Sequence, residues 1–252
     1  MANRLIIYTD SIASSDVNTF QAAALRLKKD YRTKYPEDTV NLLFVKSGKE
    51  IVKAINGYSE GGLVSLDIVS HGNQGGIHIA KKLAKPAKSG FIQRRAHVSI
   101  RADSDRPQDE SQAEYIEESM HGLYTDWTAK KGISYYYNQS FDDSSDTAYL
   151  GDIKFFSFSN NAFVEFHGCR TAEMIPGLNT YFKDNFAKQF SDNLSKEAIV
   201  VGHIFNSNPN KNPNGKSSDY RHGRVRAYKG GKLIHDGIDR RTLTFANSST
   251  PK

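Results

Sequence analysis

Three short apolar runs constrain this chain more than any other feature. Residues 4–10 (Arg-Leu-Ile-Ile-Tyr-Thr-Asp), 39–46 (Thr-Val-Asn-Leu-Leu-Phe-Val-Lys) and 63–70 (Leu-Val-Ser-Leu-Asp-Ile-Val-Ser) are of strand length and end in polar residues, as buried strands do. Between them the spacing becomes helical. Phe20, Ala23, Ala24, Leu27 and Tyr31 fall on one side of a helix over 16–34, with Asp16 as its N-cap and Pro36 as its stop. Residues 48–57 predict a short second helix ending at Gly57, a residue suited to the position just past a helix end. Strands that alternate with crossover helices run parallel. The chain is therefore expected to be α/β.

The rhythm breaks between about 77 and 150. It returns with strands at 153–158 and 162–167, a helix at about 178–193 carrying Tyr181, Phe182, Phe186 and Phe190, and a strand at 198–205. A polar loop at 206–219 and an alternating hairpin at 223–236, turning on Gly230-Gly231, complete the series. We read 77–150 as an insertion on the sheet rim, part hairpin and part helix or loop, because a structureless loop of that length is unusual. The expectation is one domain over 1–245 with that insertion, and a loose tail at 246–252. A chain that is 38% hydrophobic and 25% charged is not disordered throughout. No apolar run approaches the length of a membrane-spanning helix. The four-residue apolar core near the N-terminus is too short for a secretory signal. The expected location is the cytoplasm, or outside by a route that reads no such signal. A single cysteine excludes an internal disulfide and a multi-thiolate zinc site.

Two strand ends carry the candidate chemistry. One reads Leu66-Asp67-Ile68-Val69-Ser70-His71-Gly72, the other Phe163-Val164-Glu165-Phe166-His167-Gly168-Cys169-Arg170-Thr171-Ala172. Reactive groups of open parallel sheets gather outside the carboxyl ends of the strands. If these two strands are neighbours, His71 and Cys169 emerge at one rim as a base and a nucleophile. His71 then raises the thiolate fraction of Cys169 and protonates the leaving amine. The N–H groups of Gly72 and Cys169 are the candidate oxyanion donors, glycine allowing the closest approach to a carbonyl.

A strand ending in Ser-His-Gly, followed by a later one ending in Gly-Cys-Arg-Thr-Ala, resembles the caspase-hemoglobinase fold of clan CD cysteine peptidases, which includes caspases, metacaspases, clostripain, gingipains, separase and the CHAT proteases. The resemblance covers about 1–76 and 151–240. It implies a three-layer α/β/α sandwich with a mainly parallel sheet, an inserted segment and a C-terminal hairpin. It further implies a His71–Cys169 dyad, an oxyanion donor at Gly72, and cleavage of a protein or peptide after a defined side chain without a metal or other cofactor. The 98-residue spacing of His71 and Cys169 exceeds that in compact members, and the insertion accounts for it. The specificity pocket of this fold lies beside the first strand, which makes Asp10 a candidate for binding an Arg or Lys substrate side chain. An alternative role for Asp10 is to cap the next turn. Ser70 and Glu173 complete the candidate substrate-binding set, with Asp184 a weaker member. The pairs Lys81-Lys82, Arg94-Arg95 and Lys130-Lys131 are then candidate self-cleavage points.

Other features read more simply. His167, two residues before Cys169, reads as a packed histidine without a direct role in the chemistry, and His203 reads as core. His78 falls in an expected loop. No recognised zinc spacing joins His71, His78, His167 and Cys169. Gly57-Tyr58-Ser59-Glu60-Gly61 matches a nucleophile elbow, but a helix precedes it where that motif needs a strand. The net charge is +6, with basic stretches at 81–106 and 221–241. This leaves open a catalytically silent binding module whose basic surface engages a protein or a polyanion such as a polyphosphate; a nucleic-acid partner is not expected.

Overall fold

The computed structural model describes residues 1–11, 14–73, 75–82, 118–124, 147–174, 184–205 and 223–238. Strand β1 (Asn3–Thr9), helix α1 (Ser14–Lys34), strand β2 (Thr39–Val45), helix α2 (Gly48–Asn56) and strand β3 (Leu63–Val69) follow the predicted alternation. Local chemistry sets the helix ends. The Ser47 hydroxyl accepts from the Glu50 N–H, satisfying one N-terminal donor of α2, and the Glu50 carboxylate accepts from the Lys46 N–H just before the cap.

Strands β8 (Phe158–Phe166), β9 (Ile199–His203), β10 (Val225–Lys229) and β11 (Lys232–Gly237) complete a seven-stranded sheet of order β11-β10-β9-β8-β3-β1-β2. The five strands from β2 to β9 pair in parallel, and β10 and β11 are antiparallel. The hairpin turns as expected on Gly230 and Gly231, whose φ values of 52° and 71° suit a two-residue turn matched to strand twist. The molecule is thus α/β with a mostly parallel central sheet and few helices.

The faces of the sheet divide the packing. On one face Ile6 and Val69 meet Phe20, Ala23, Ala24, Leu27 and Tyr31 of α1. On the other, Leu5, Ile7, Leu66, Ile68, Val164, Phe166 and Val200 form a cluster with Ile51 and Ile55 of α2 and with Phe186 and Phe190 of helix α3 (Phe186–Asp192). A second, four-stranded sheet comprises β4 (His71–Asn73), β5 (Gly76–Lys82), β6 (Glu118–Tyr124) and β7 (Ala148–Tyr149). Its Ile77 and Ile79 join the same cluster.

Several expectations need correction. Residues 153–158 are not a strand: 3₁₀ turns occupy Leu150–Asp152 and Phe155–Ser157, and β8 begins at Phe158. An aromatic run reads the same in either state; here Phe155 and Phe158 turn onto Phe190 while Phe156 faces solvent. Helix α3 starts at Phe186, where the Asn185 side chain caps it by accepting from the Lys188 N–H; Tyr181 and Phe182 lie outside the described residues. His78 is in strand β5, not a loop, because the chain reverses between the paired residues Asn73 and Gly76. The second sheet therefore starts at His71, before the expected insertion boundary. The loop 206–219 and the tail lie outside the described residues. Gly57–Gly61 is the helix-to-strand turn expected of it, with Gly61 at φ 65°.

Phe190 sits among Phe155, Phe158, Phe166 and Phe186, with ring centroids 5.1–6.2 Å away. Phe190→Ala is expected to lower the unfolding free energy by about 3–5 kcal/mol, through lost burial and the cavity left behind, as measured by urea denaturation followed by circular dichroism.

Candidate active site

Strand order creates the site. The chain leaves β1 toward β2 on one side and leaves β3 toward β8 on the other, so the direction of winding reverses between β1 and β3. After β1 the chain enters α1 on one face; after β3 it enters the second sheet, which packs on the opposite face. Two neighbouring strands whose exits diverge leave a crevice at their carboxyl ends, the usual place for a ligand in an open parallel sheet. Asp10 and Ser11 lie on one side of it and Ser70 and His71 on the other.

His71 is half-buried. Its Nε2 is 3.2 Å from the Ser11 hydroxyl, and its ring stands edge-on to Phe20 at 5.1 Å. Cys169 is also half-buried, in the turn that follows β8. Strands β3 and β8 are parallel neighbours, with Ile68 paired to Phe166, and the His167 N–H donates to the Ile68 carbonyl at 2.9 Å. Beyond that bond the main chains meet. A Cβ on Gly168 would lie 3.2 Å from the His71 carbonyl oxygen and 3.3 Å from both Cα and N of Gly72. A Cβ on Gly72 would lie 2.8 Å from Thr171 Cγ2, 3.2 Å from the Gly76 oxygen and 3.3 Å from the Cys169 oxygen. A side chain at Gly72 would force Thr171 to shift, and one at Gly168 would require the facing main chain to give by a few tenths of an ångström. The sequence-predicted His71, Gly72 and Cys169 are thereby gathered at one rim.

The thiol turn is tightly bound. Arg170 holds φ 57°, a left-handed conformation rare for a residue with a side chain. It is kept there by its neighbours: the Arg170 N–H donates to the Phe205 carbonyl, the Ala172 N–H to the His203 carbonyl, and the Ala187 N–H to the Thr171 carbonyl. The Thr171 hydroxyl accepts from the His203 N–H and is 3.4 Å from the Gly168 carbonyl.

The other expected residues are placed as follows. The Asp10 carboxylate accepts from the Ser11 N–H at 2.9 Å, the capping role weighed for it. Ser70 is buried; its Oγ and Thr9 Oγ1, at the ends of adjacent strands, have no hydrogen-bond partner among the described residues. Glu173 lies 3.7 Å from the Arg170 guanidinium, and Asp184 pairs with Lys188. On the hairpin, Arg224 and Arg226 both donate to Asp236, and Lys229 pairs with Glu197. Much of its basic charge is thus already matched. Apart from Lys81 and Lys82, the basic stretch 81–106 lies outside the described residues, as do Arg94-Arg95 and Lys130-Lys131.

One group was not foreseen. On the α1 face, Asp67 of β3 bridges Tyr31 and His167: the Tyr31 hydroxyl donates to Oδ2 at 2.7 Å, and His167 Nε2 is 2.8 Å from Oδ1. Glu165 and His203 lie beside them, all buried. The available signal was Asp67 and Glu165 inside otherwise apolar strands. Burial first, then the charge of Asp67 and the bond to it, push the Tyr31 phenol well above its ordinary range.

No helix among the described residues is long and apolar enough to cross a membrane. Compared with family models, curated proteins and solved structures, the chain matches none.

Two outcomes are expected. Gly72→Ala should cost about 1–3 kcal/mol by crowding Thr171 and the facing main chain, and adding Thr171→Ser should recover part of it, both read from urea midpoints. The Tyr31 phenol keeps its proton in the fold where the unfolded chain loses it, so its contribution is complete below about pH 10 and fades as pH rises above that. Melting temperature measured from pH 8 to 11 should fall less steeply in Tyr31→Phe.

Proposed function

We propose that this chain is a cysteine endopeptidase of the caspase-like type, built as a three-layer α/β/α sandwich with a segment inserted between β3 and β8. The observation that carries the reading is the main-chain contact of Gly72 with Gly168 and Cys169 at the ends of neighbouring parallel strands. That contact sets the turn carrying Cys169 against the residue after His71, whose strand borders the crevice where the winding reverses. The strained Arg170 beside the thiol supports it, since such strain persists where a turn is held for a purpose.

In this reading His71 takes the proton of Cys169, and the thiolate attacks the peptide carbonyl carbon. The N–H groups of Gly72 and Cys169 donate to the oxyanion. As the C–N bond breaks, His71 returns the proton to the leaving amine, and the acyl group remains on sulfur as a thioester. Water then attacks the thioester, its proton passing through His71 to the thiol, and releases the carboxylate. Asp10 at the crevice favours a basic residue before the cut, and a chain with that preference meets its own basic pairs in the insertion. The second reading, a silent module binding a polyanion through its terminal hairpin, has less support, because Asp236 and Glu197 already pair with Arg224, Arg226 and Lys229.

Incubation with a peptide library, with cleavage positions read by mass spectrometry, tests the proposal. Cuts after Arg or Lys are expected from the native chain, none from Cys169→Ala, and a loss of at least about 100-fold in His71→Ala. Iodoacetamide should alkylate Cys169 faster than free cysteine, and more slowly in His71→Ala. An unreactive thiol and an intact library would sink the peptidase and leave the binding module.

A further inference from the structure

We propose that Glu165, His167 and His203 hold a divalent transition-metal ion of the zinc class, in the sheet layer beneath the turn that carries Cys169. One donor atom from each of the three lies within 4.8 Å of the other two. The arrangement follows from strand geometry. Glu165 and the residue two beyond it, His167, share a face at the end of β8. With Phe166 paired to Gly202, His203 on β9 stands next to His167.

His167 points to the ligand. Its side chain is fully buried. Its Nε2 is engaged by Asp67 at 2.8 Å, but its Nδ1 has no hydrogen-bond partner among the described residues. The nearest Glu165 oxygen is 3.8 Å from that nitrogen, too long for a hydrogen bond. Donors of a tetrahedral zinc with bonds of about 2.0–2.1 Å stand roughly 3.4 Å apart. The separation is thus close to that of two ligands sharing an ion. In the tautomer whose Nε2–H donates to Asp67, the Nδ1 lone pair faces a carboxylate in the buried interior, an arrangement that costs free energy unless a cation or a proton lies between them.

The surroundings match those of a metal centre. An imidazole whose second nitrogen donates to a carboxylate is the usual outer-sphere arrangement for a histidine ligand, and Tyr31 in turn fixes Asp67. A divalent ion balances the charges of Asp67 and Glu165, while Arg4 is already paired with Asp38. Two imidazoles and one carboxylate favour zinc-like ions over calcium or magnesium, which prefer oxygen donors throughout. The site is separate from the proposed dyad and does not depend on it. Its consequence there is positional: His167 lies two residues before Cys169, and the backbone of His203 bonds to Thr171 and Ala172. An ion between them braces the turn that presents the thiol.

The test uses the full chain carrying Cys169→Ala, so that sulfur cannot contribute. After chelation, zinc is titrated by calorimetry and cobalt(II) by visible absorption. One ion per chain is expected, with nitrogen–oxygen ligand-field bands and a melting temperature higher than that of the chelated protein. His203→Ala and Glu165→Gln should each weaken binding at least about 100-fold, and Asp67→Asn about 10–100-fold, while His71→Ala leaves it unchanged. Chelation of the unsubstituted chain and its melting temperature require no variant to fold. No stoichiometric binding, or binding lost in His71→Ala and kept in His203→Ala, would overturn the assignment; neither result bears on peptide cleavage.

Discussion

The close approach of two main chains, at Gly72 and at Gly168, underlies the rest of the site. Side chains there would crowd Thr171 and the facing main chain at the carboxyl ends of β3 and β8. With glycine at both positions the turns touch, and the residues next to them, His71 and Cys169, share a rim. Hydrogen bonds from the turn to the Phe205 and His203 carbonyls, and from the Ala187 N–H to the Thr171 carbonyl, fix the second turn and offset the left-handed backbone of Arg170. The turn that carries the thiol is therefore held by backbone geometry and neighbouring strands.

Beneath that rim the sheet departs from the usual apolar interior. On the α1 face a polar island of Tyr31, Asp67, Glu165, His167 and His203 lies between two apolar clusters, one under α1 and one formed by Phe163, Val201, Val225 and Ala227. Buried acids are costly unless bonded or balanced. Their alignment across three adjacent strands satisfies Asp67 fully and leaves one imidazole nitrogen facing a carboxylate.

Much of the fold was legible in the chain. Three apolar runs separated by helical spacing required parallel strands, and Gly230-Gly231 fixed the hairpin. That the turns after β3 and β8 lie side by side was also legible in outline, because His71 and Cys169 each follow an apolar strand. Less was visible where one pattern serves two structures. The Phe155–Phe158 run reads as a strand yet contains a 3₁₀ turn, since apolar periodicity over so few residues does not separate the two. His78 seemed part of a loop, because nothing in the chain announces that His71 and His78 pair across antiparallel strands.

Sequence alone determined the class of architecture and the candidate reactive residues, because periodicity and strand-end chemistry are local properties. Only the tertiary structure decided that β3 and β8 are neighbours, that Ser11 reaches His71, and that Asp67, Glu165, His167 and His203 converge. Those contacts join residues tens of positions apart. Strand order sets them, and the hydrophobic pattern of any single strand is compatible with many orders.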